Sequence, residues 1–192
     1  TIPATAFYNC TALTSIAVPS TVTAIGASAF KNCTSLISAS LPMQLQTIEF
    51  NTFYGCSSLV NITLPTSLTT FGGTCFSGCT SLTSIVIPSG VQTLSYNTFQ
   101  NCTSLKKATL PAQLKTFDLN AWANASPFTG CNNLDSVFID PSNIYYATQD
   151  GVLYDNNLGL LPYWLRRWFY FTCKCSNSWC MFDDGLYWFN RF

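Results

Sequence analysis

The sequence predicts a repeat solenoid, and three observations support this fold class. Cysteines recur every 23 residues in five copies and after 29 residues in a sixth, with a phenylalanine three residues before and a leucine three residues after each. Agreement at three columns in all six copies is no compositional accident, and a period of about 20 to 50 residues is typical of stacked repeats. The six triplets are Phe7-Cys10-Leu13, Phe30-Cys33-Leu36, Phe53-Cys56-Leu59, Phe76-Cys79-Leu82, Phe99-Cys102-Leu105 and Phe128-Cys131-Leu134.

Each repeat is predicted to contain a short strand that ends at a proline. Leu82, Ile85 and Ile87 precede Pro88, so an apolar spacing of three changes to a spacing of two, which is typical of a strand. Proline has no N–H to donate and therefore ends ladder pairing. We expect short parallel strands on one face of the solenoid, and short strands, turns and single helical or 3₁₀ turns on the other. The repeat prolines are Pro19, Pro42, Pro65, Pro88 and Pro111, with Pro141 displaced by one position.

The residue before each repeat cysteine is always asparagine or glycine. These two residues enter the left-handed backbone region at the lowest cost. We therefore expect a helical or 3₁₀ turn, such as residues 29–31, to end there in a left-handed residue. The column consists of Asn9, Asn32, Gly55, Gly78, Asn101 and Gly130.

The repeat cysteines are predicted to point inward, because their spacing from the phenylalanine and leucine columns is three residues in each direction. Neighbouring rungs would place their Cα atoms about 5 Å apart, a distance that does not exclude disulfides. Free cysteine also packs as a small buried hydrophobic residue. We expect a reduced ladder in the core, with Cys75 as an irregular neighbour of Cys79.

Composition argues against several classes of function. Charged residues make up 8% of the chain, with eight basic and eight acidic side chains and no histidine. Clustered cations that displace counterions from phosphates are therefore scarce. Cys173, Cys175 and Cys180 leave a zinc site one ligand short, and adjacent Asp183 and Asp184 are typical of a turn. We expect no enzyme activity, no cofactor, no metal, no small-molecule substrate and no nucleic-acid partner.

Three segments are predicted along the chain. Residues 1–141 form the solenoid, with an insertion at 118–127 that carries Trp122, and residues 142–160 close the array. Residues 161–192 form an atypical aromatic tail, for which translation past a frameshift or intron boundary is the first interpretation; a hydrophobic cap and an interfacial membrane segment are the alternatives. The apolar stretch at 158–171 is too short to span a bilayer, so membrane association is expected only through segments outside this sequence.

The repeat unit A-F-x-x-C-x-x-L-x-x-I-x-(L/I)-P resembles the BspA-like, treponemal-type leucine-rich repeat over about residues 2 to 140. Asn143, Tyr146 and the D-G-V-L-Y run at 150–154 are similar to a segment that often follows such arrays in this family. The resemblance implies a leucine-rich-repeat solenoid that is secreted or displayed at the cell surface. It also implies adhesion to host matrix or to other cells.

The strand positions that flank the inward residues are predicted to form an exposed face rich in serine and threonine. Extended repeat surfaces of this kind bind partners, although a ladder of hydroxyls also serves to keep a sheet soluble. We expect a non-catalytic binding or adhesion scaffold for protein or matrix partners; a structural or intracellular interaction scaffold and a truncated, non-functional product are the alternatives. The candidate partner-binding residues are Ser38, Ser40, Asn61, Thr63, Ser84, Val86, Lys106, Lys107, Thr109, Asp135 and Phe138, together with Trp122 on the insertion.

Overall fold

The structure is a computed structural model that describes residues 1–118, 126–149 and 152–156. It is a solenoid with parallel ladders of very short strands on two walls, and its described residues contain no helix. The strands are β1 (Ser15–Ala17), β2 (Ser38–Ser40), β3 (Thr47–Ile48), β4 (Thr70–Phe71), β5 (Ser84–Val86), β6 (Thr93–Leu94), β7 (Lys107–Leu110), β8 (Thr116–Phe117), β9 (Ser136–Ile139), β10 (Tyr146–Gln149) and β11 (Val152–Asp155).

The first wall carries the strands that the sequence predicted. β1 pairs with β2, and β5, β7 and β9 form a three-stranded parallel sheet; the bridge between Ser40 and Thr63 links the third rung to the second. β7 faces β5 at a register of 23 residues but faces β9 at 29, with Lys107 opposite Ser136. The six extra residues of the insertion therefore leave the pairing of β7 with β9 uninterrupted. Each of these strands ends within two residues of a repeat proline, as predicted.

The second wall is built from pairs of two-residue strands. β3 pairs with β4 and β6 with β8, again in parallel and at a register of 23 residues. Thr93 lies opposite Thr116, and their hydroxyl oxygens are 2.9 Å apart. This wall returns the chain towards the phenylalanine column and so closes each coil.

A continuous stack of phenylalanine rings runs through the core between the two walls. From Phe7 to Phe128, neighbouring rings are 5.1 to 5.5 Å apart between centroids and at most 16° from parallel. Phe71 meets this stack edge-on, with its centroid 6.3 Å from that of Phe76 and 6.2 Å from that of Phe99. Aromatic pairs in both geometries contribute beyond simple area burial, so the stack joins successive coils.

All six asparagine and glycine residues before the repeat cysteines are left-handed, which confirms the prediction. Their φ angles run from 58° at Asn9 and Asn101 to 79° at Gly130. The helical or 3₁₀ turn expected before this column takes a simpler form. Single hydrogen bonds from residue i to i−3 are present, as in a 3₁₀ turn, but they do not run on into a helix.

The turn does not continue into a helix because a second column of left-handed residues lies four residues earlier. The sequence did not reveal this column. It consists of Thr5, Ser28, Asn51, Thr74 and Asn97, with φ between 53° and 60°. Between the two columns the N–H groups alternate in direction. The N–H groups of Ser28 and Phe30 donate to the next rung, whereas those of Ala29 and Lys31 donate three residues back along their own turn. A helix would aim every N–H along its own axis and would leave the next rung without donors.

The described C-terminal end of the solenoid is covered by a hairpin of β10 and β11, in which Leu153 is buried. Asn143 attaches this hairpin to the last coil. The two hydrogens of its Nδ2 are shared among the carbonyls of Pro111, Ala112 and Leu114, which lie 2.8 to 3.2 Å from the nitrogen. Its Oδ1 accepts the N–H groups of Tyr145 and Tyr146, where the chain enters the hairpin. The segment boundaries at 141 and 160 stay predictions. Trp122 and the tail at 161–192 lie outside the described residues.

Substitution of Gly78 tests whether the left-handed backbone conformation selects the residue before each repeat cysteine, because a side chain at this position meets no steric clash. A Cβ at Gly78 would come no closer than 3.5 Å to another atom outside the adjoining residues, so only its φ of 76° opposes a side chain. We expect Gly78→Ala to lower the free energy of unfolding by about 1 to 2 kcal/mol, and Gly78→Asn by much less, because asparagine adopts this conformation readily. Urea titration measures both values. Equal losses for the two variants would show that backbone conformation does not select the residue.

Asn143 tests the attachment of the hairpin. Its side chain is buried and makes five hydrogen bonds, so Asn143→Ala leaves several backbone groups unpaired and should cost about 2 to 4 kcal/mol. Asn133→Ala is the matched control, because Asn133 is exposed and its side chain donates one bond, to the carbonyl of Thr103. Chemical denaturation measures the free energy of unfolding of both variants, and Asn143→Ala should lose much more than Asn133→Ala. Similar small losses would show that Asn143 does not attach the hairpin to the last coil.

Candidate partner-binding face

The strand face is the outward surface of the first wall. It is formed by the residues that flank the buried centre of each strand and by the adjoining row one position earlier, which contains Ile37, Val60, Thr83, Lys106 and Asp135. Register places the equivalent residues of successive rungs side by side, in rows that run along the solenoid. Of the twelve candidate residues predicted from sequence, all but Trp122 are described, and all eleven lie on this face. Ten of them are exposed and Thr109 is half-buried.

The first half of the strand face is neutral and polar. Ser15 lies beside Ser38, Ala17 beside Ser40, and Ser40 beside Thr63. Short hydroxyl side chains leave the backbone of the sheet close to the surface and offer both donors and acceptors. Ile37 and Val60, in the adjoining row, add exposed apolar area, because the two residues are 52% and 38% exposed. This half can form hydrogen bonds with a partner but holds no charge of its own.

The second half of the strand face combines apolar and cationic groups. Val86, Thr109 and Phe138 lie side by side on β5, β7 and β9. The Lys107 ammonium lies over the Phe138 ring, 4.8 Å from its centroid. Lys106 directly precedes β7, and its carbonyl accepts the N–H of Asp135 on the neighbouring rung. Sequence analysis named all of these residues, but only the structure shows that they form one patch.

A second exposed group, on the turn side of the solenoid, was missed by sequence analysis. Tyr8, Phe50 and Tyr54 are each at least 37% exposed, and the Lys31 ammonium lies 4.9 Å from the centroid of the Tyr54 ring. Tyr8, Lys31 and Tyr54 occupy the position directly after the phenylalanine column. The residue at that position differs between repeats, and this variation was the sequence signal that could have revealed the exposed group.

The cysteine ladder is part of the core except at its exposed first member, Cys10. Cys33, Cys56, Cys79, Cys102 and Cys131 are buried free thiols, which confirms the predicted reduced ladder, and Cys10 at the end is exposed. Each of the buried thiols donates to the carbonyl of the phenylalanine on the preceding rung, at 3.0 to 3.3 Å. Burial raises the pKa of Cys56 to about 12, so the thiolate that nucleophilic or metal-binding chemistry requires does not form near neutral pH.

Cys75 lies beside Cys79 and outside the cysteine column, as the sequence suggested, but its own place in the repeat is a regular one. It lies in a column of small buried residues with Ala29, Thr52 and Thr98. Burial raises its pKa as well. Among the residues that the structure describes, no group of three metal-binding side chains is found, and no helix is long and apolar enough to cross a membrane.

The parallel coils and their repeating core residues define a leucine-rich-repeat solenoid. A family model for the BspA-type leucine-rich-repeat region matches residues 1–129 in six copies. The chain therefore belongs to the BspA-type leucine-rich-repeat family. Proteins with leucine-rich repeats are generally non-enzymatic and typically act as protein-interaction scaffolds.

Solved structures of bacterial proteins share this fold. A leucine-rich-repeat protein from T. pallidum is 32% identical with a TM-score of 0.61, over 71% of this chain and 61% of that one. A leucine-rich-repeat protein from Bacteroides ovatus is 37% identical with a TM-score of 0.58, over 68% of this chain and 32% of that one. A leucine-rich cell surface protein from Faecalibacterium prausnitzii is 27% identical with a TM-score of 0.58, over 80% and 45%. The chain thus spans less than two thirds of each of these proteins. No curated protein matches it.

The buried thiols predict a loss of stability in alkali. In the unfolded chain a thiol loses its proton near pH 8.5, roughly, whereas folded Cys56 keeps its proton to about pH 12. Between these values the unfolded state binds fewer protons, so the free energy of unfolding should fall with rising pH, by up to about 1.4 kcal/mol per pH unit for this thiol. Urea unfolding in reductant at several alkaline pH values measures the slope.

Two variants isolate the contribution of Cys56. Cys56→Ala should make the alkaline slope shallower, whatever it does to stability near neutral pH. Cys10→Ala should leave the slope as it is, because that side chain is exposed to solvent in the folded state. An unchanged slope in Cys56→Ala would mean that burial of this thiol is not linked to alkaline unfolding.

Proposed function

We propose that the chain is an adhesion scaffold, secreted or displayed at the cell surface, that binds a protein or matrix partner through the strand face. The observation that carries the proposal is the continuity of that face. Ten of the eleven described candidate residues are exposed on one surface. Strand pairing and the Ser40–Thr63 bridge hold the rows in register within each half, and the hydrogen bond from the Thr83 N–H to the Val60 carbonyl joins the two halves. A rigid surface of this kind needs little reordering when it binds.

The chemistry of the strand face favours a protein partner. Its first half offers hydroxyl groups and exposed aliphatic side chains, whereas its second half adds an aromatic ring and two lysines. Exposed aromatic side chains such as Phe138 are enriched in protein recognition sites relative to the rest of a protein surface. Surface display is supported by the similarity to the cell surface protein from Faecalibacterium prausnitzii.

Arginine substitutions on the two walls test which wall binds. The chain would be passed over immobilised collagen, fibronectin, laminin and fibrinogen, and its affinity measured by surface plasmon resonance. Ser38→Arg and Thr63→Arg place a bulky side chain on the strand face, and each should weaken binding by about tenfold or more. Thr70→Arg and Thr93→Arg add the same group to the second wall, where both threonines are exposed, and should leave affinity unchanged.

Both pairs of variants add the same positive charge. A comparison of the two pairs therefore distinguishes the loss of a direct contact with the matrix protein from a general electrostatic effect. Loss of binding in the strand-face variants alone supports the proposal. Equal loss in both pairs, or loss only in the second-wall pair, would place the binding surface elsewhere. Absence of binding to every matrix protein would contradict the matrix-adhesion function.

A further inference from the structure

Both walls of the solenoid lose their strand pairing between the same two coils. On the first wall, pairing runs from β1 through β2 to the Ser40–Thr63 bridge and resumes only at β5. On the second wall, β3 pairs with β4 and β6 pairs with β8, but β4 does not pair with β6. Residues 59–71 thus face residues 82–94 without a ladder on either wall, and we call this contact the joint. Between the other neighbouring coils that the structure describes, at least one wall is paired.

The second wall shows how the joint differs from its neighbours. One coil earlier, the N–H of Gly72 donates to the carbonyl of Ile48 across the paired strands. The equivalent groups at the joint are the Ser95 N–H and the Phe71 carbonyl. Although the structure describes both groups, no backbone hydrogen bond joins them. The Ser95 hydroxyl donates to that carbonyl instead, at 2.6 Å, and a recess of about 390 Å³ lies between the two coils.

On the first wall, one backbone hydrogen bond crosses the joint between the described residues. The Thr83 N–H donates to the Val60 carbonyl at 3.1 Å, whereas β5 and β7 lie in register over three residues. Asn61 explains the interruption, because serine or lysine occupies the equivalent position in β1, β2, β5, β7 and β9. Asparagine is depleted in strands, since its side chain competes for backbone hydrogen bonds.

Phe71 supplies the physical reason on the second wall. Its position holds isoleucine at Ile48 and leucine at Leu94, which are smaller side chains. The Phe71 ring meets Phe76 edge-on and also reaches Phe99 on the far side of the joint, with centroids 6.3 and 6.2 Å apart. The bulk of this ring on the side of the following coil opposes the close approach that backbone pairing requires.

The turn side stays paired across the joint and supplies a pivot. Three N–H groups there donate to the next coil at 2.7 to 3.2 Å, and the rings of Phe76 and Phe99 stack with their centroids 5.5 Å apart. One side of the coil is therefore held by its backbone, whereas the two walls oppose bending only weakly. The donors are Thr74, Phe76 and Gly78, and the acceptors are Tyr96, Thr98 and Gln100.

We propose that Asn61 and Phe71 make the joint a hinge, at which the two halves of the strand face tilt relative to each other about the paired turn side. Each half moves as a unit because its own strands are paired. The tilt changes the spacing between the rows of Val60 and Thr83, so the curvature of the strand face adjusts to a bound surface. Local openings of this kind occur where few backbone hydrogen bonds hold two units together.

Amide hydrogen exchange, followed by NMR on the unmodified chain, tests the hinge at single residues. The Thr83 and Lys106 N–H groups occupy equivalent positions, both residues are exposed, and each N–H donates to the coil before it. Opening of the joint breaks only the first of these bonds. We expect Thr83 to exchange about tenfold or more faster than Lys106, after correction for intrinsic rates, while Phe76 on the turn side stays protected. Equal protection of Thr83 and Lys106 would overturn the proposal.

A repaired joint tests the roles of the two residues. Asn61→Ser restores the residue present at Ser38 and Ser84, and Phe71→Leu restores the residue present at Leu94. In the double variant the exchange rate of Thr83 should approach that of Lys106. The ratio of the two rates cancels any change in global stability that Phe71→Leu causes. An unchanged ratio would overturn the assignment of the hinge to these residues.

A reversible cross-link tests whether the halves tilt. Val60→Cys with Thr83→Cys spans the joint, and Thr83→Cys with Lys106→Cys is the matched control within the second half. Neighbouring coils bring each pair to about 5 Å between Cα atoms, which permits a disulfide. Spin labels on p-acetylphenylalanine in place of Thr14 and Asp135, five coils or roughly 24 Å apart, report the spread of distances by pulsed EPR.

The disulfide across the joint should narrow this distance distribution, and its reduction should restore the original width. The control disulfide should leave the width unchanged. Equal widths with and without the cross-link at the joint would overturn the hinge, as would equal narrowing by both cross-links. Neither measurement uses a matrix protein, so the hinge and the adhesion function are tested separately.

Discussion

The structure depends on one constraint, which is that every residue of a coil lies beside its own equivalent in the next coil. Parallel strands pair about 4.8 Å apart, and the stacked phenylalanine rings follow at 5.1 to 5.5 Å. A column therefore accepts only residues that can lie beside copies of themselves. Phenylalanine stacks, threonine hydroxyls pair, and cysteine thiols donate to the carbonyl one coil behind. The repetition in the sequence is the consequence of this geometry.

The same constraint determines the backbone at the turns. Each coil must give hydrogen bonds to its neighbour even where the chain reverses direction, so a continuous helix is excluded there. Two left-handed residues, such as Ser28 and Asn32, alternate the direction of the N–H groups between the neighbouring coil and the turn itself. Left-handed threonine is costly. At Thr74 the hydroxyl donates to Asn51 Oδ1 at 2.6 Å, in the same column one coil earlier, which offsets part of that cost.

Regularity also explains where recognition can arise. Inward columns are constrained by packing, whereas outward columns tolerate any residue that does not disturb the sheet. The strand face is thus free to change along the solenoid, from a row of serines at Ser15 and Ser38 to lysine at Lys107, without a change in its backbone. In a scaffold of this kind stability and specificity depend on different residues. The repeating inward columns supply the stability, and the varying outward columns supply the specificity.

The sequence by itself determined the periodic part of this protein. The columns of Phe30 and Cys33, the left-handed position at Asn32 and the proline that follows each strand could be predicted because packing and backbone conformation select a narrow set of residues there. The outward candidates on the strands followed from the same alternation. Only the tertiary structure decided what depends on the distance between coils. These features are the second left-handed column, the hydrogen bonds by which Asn143 attaches the hairpin, and the assembly of Val86, Lys107 and Phe138 into one patch. The physical reason is that these features depend on contacts between residues 23 to 32 positions apart, whose side chains carry no repeated pattern of their own.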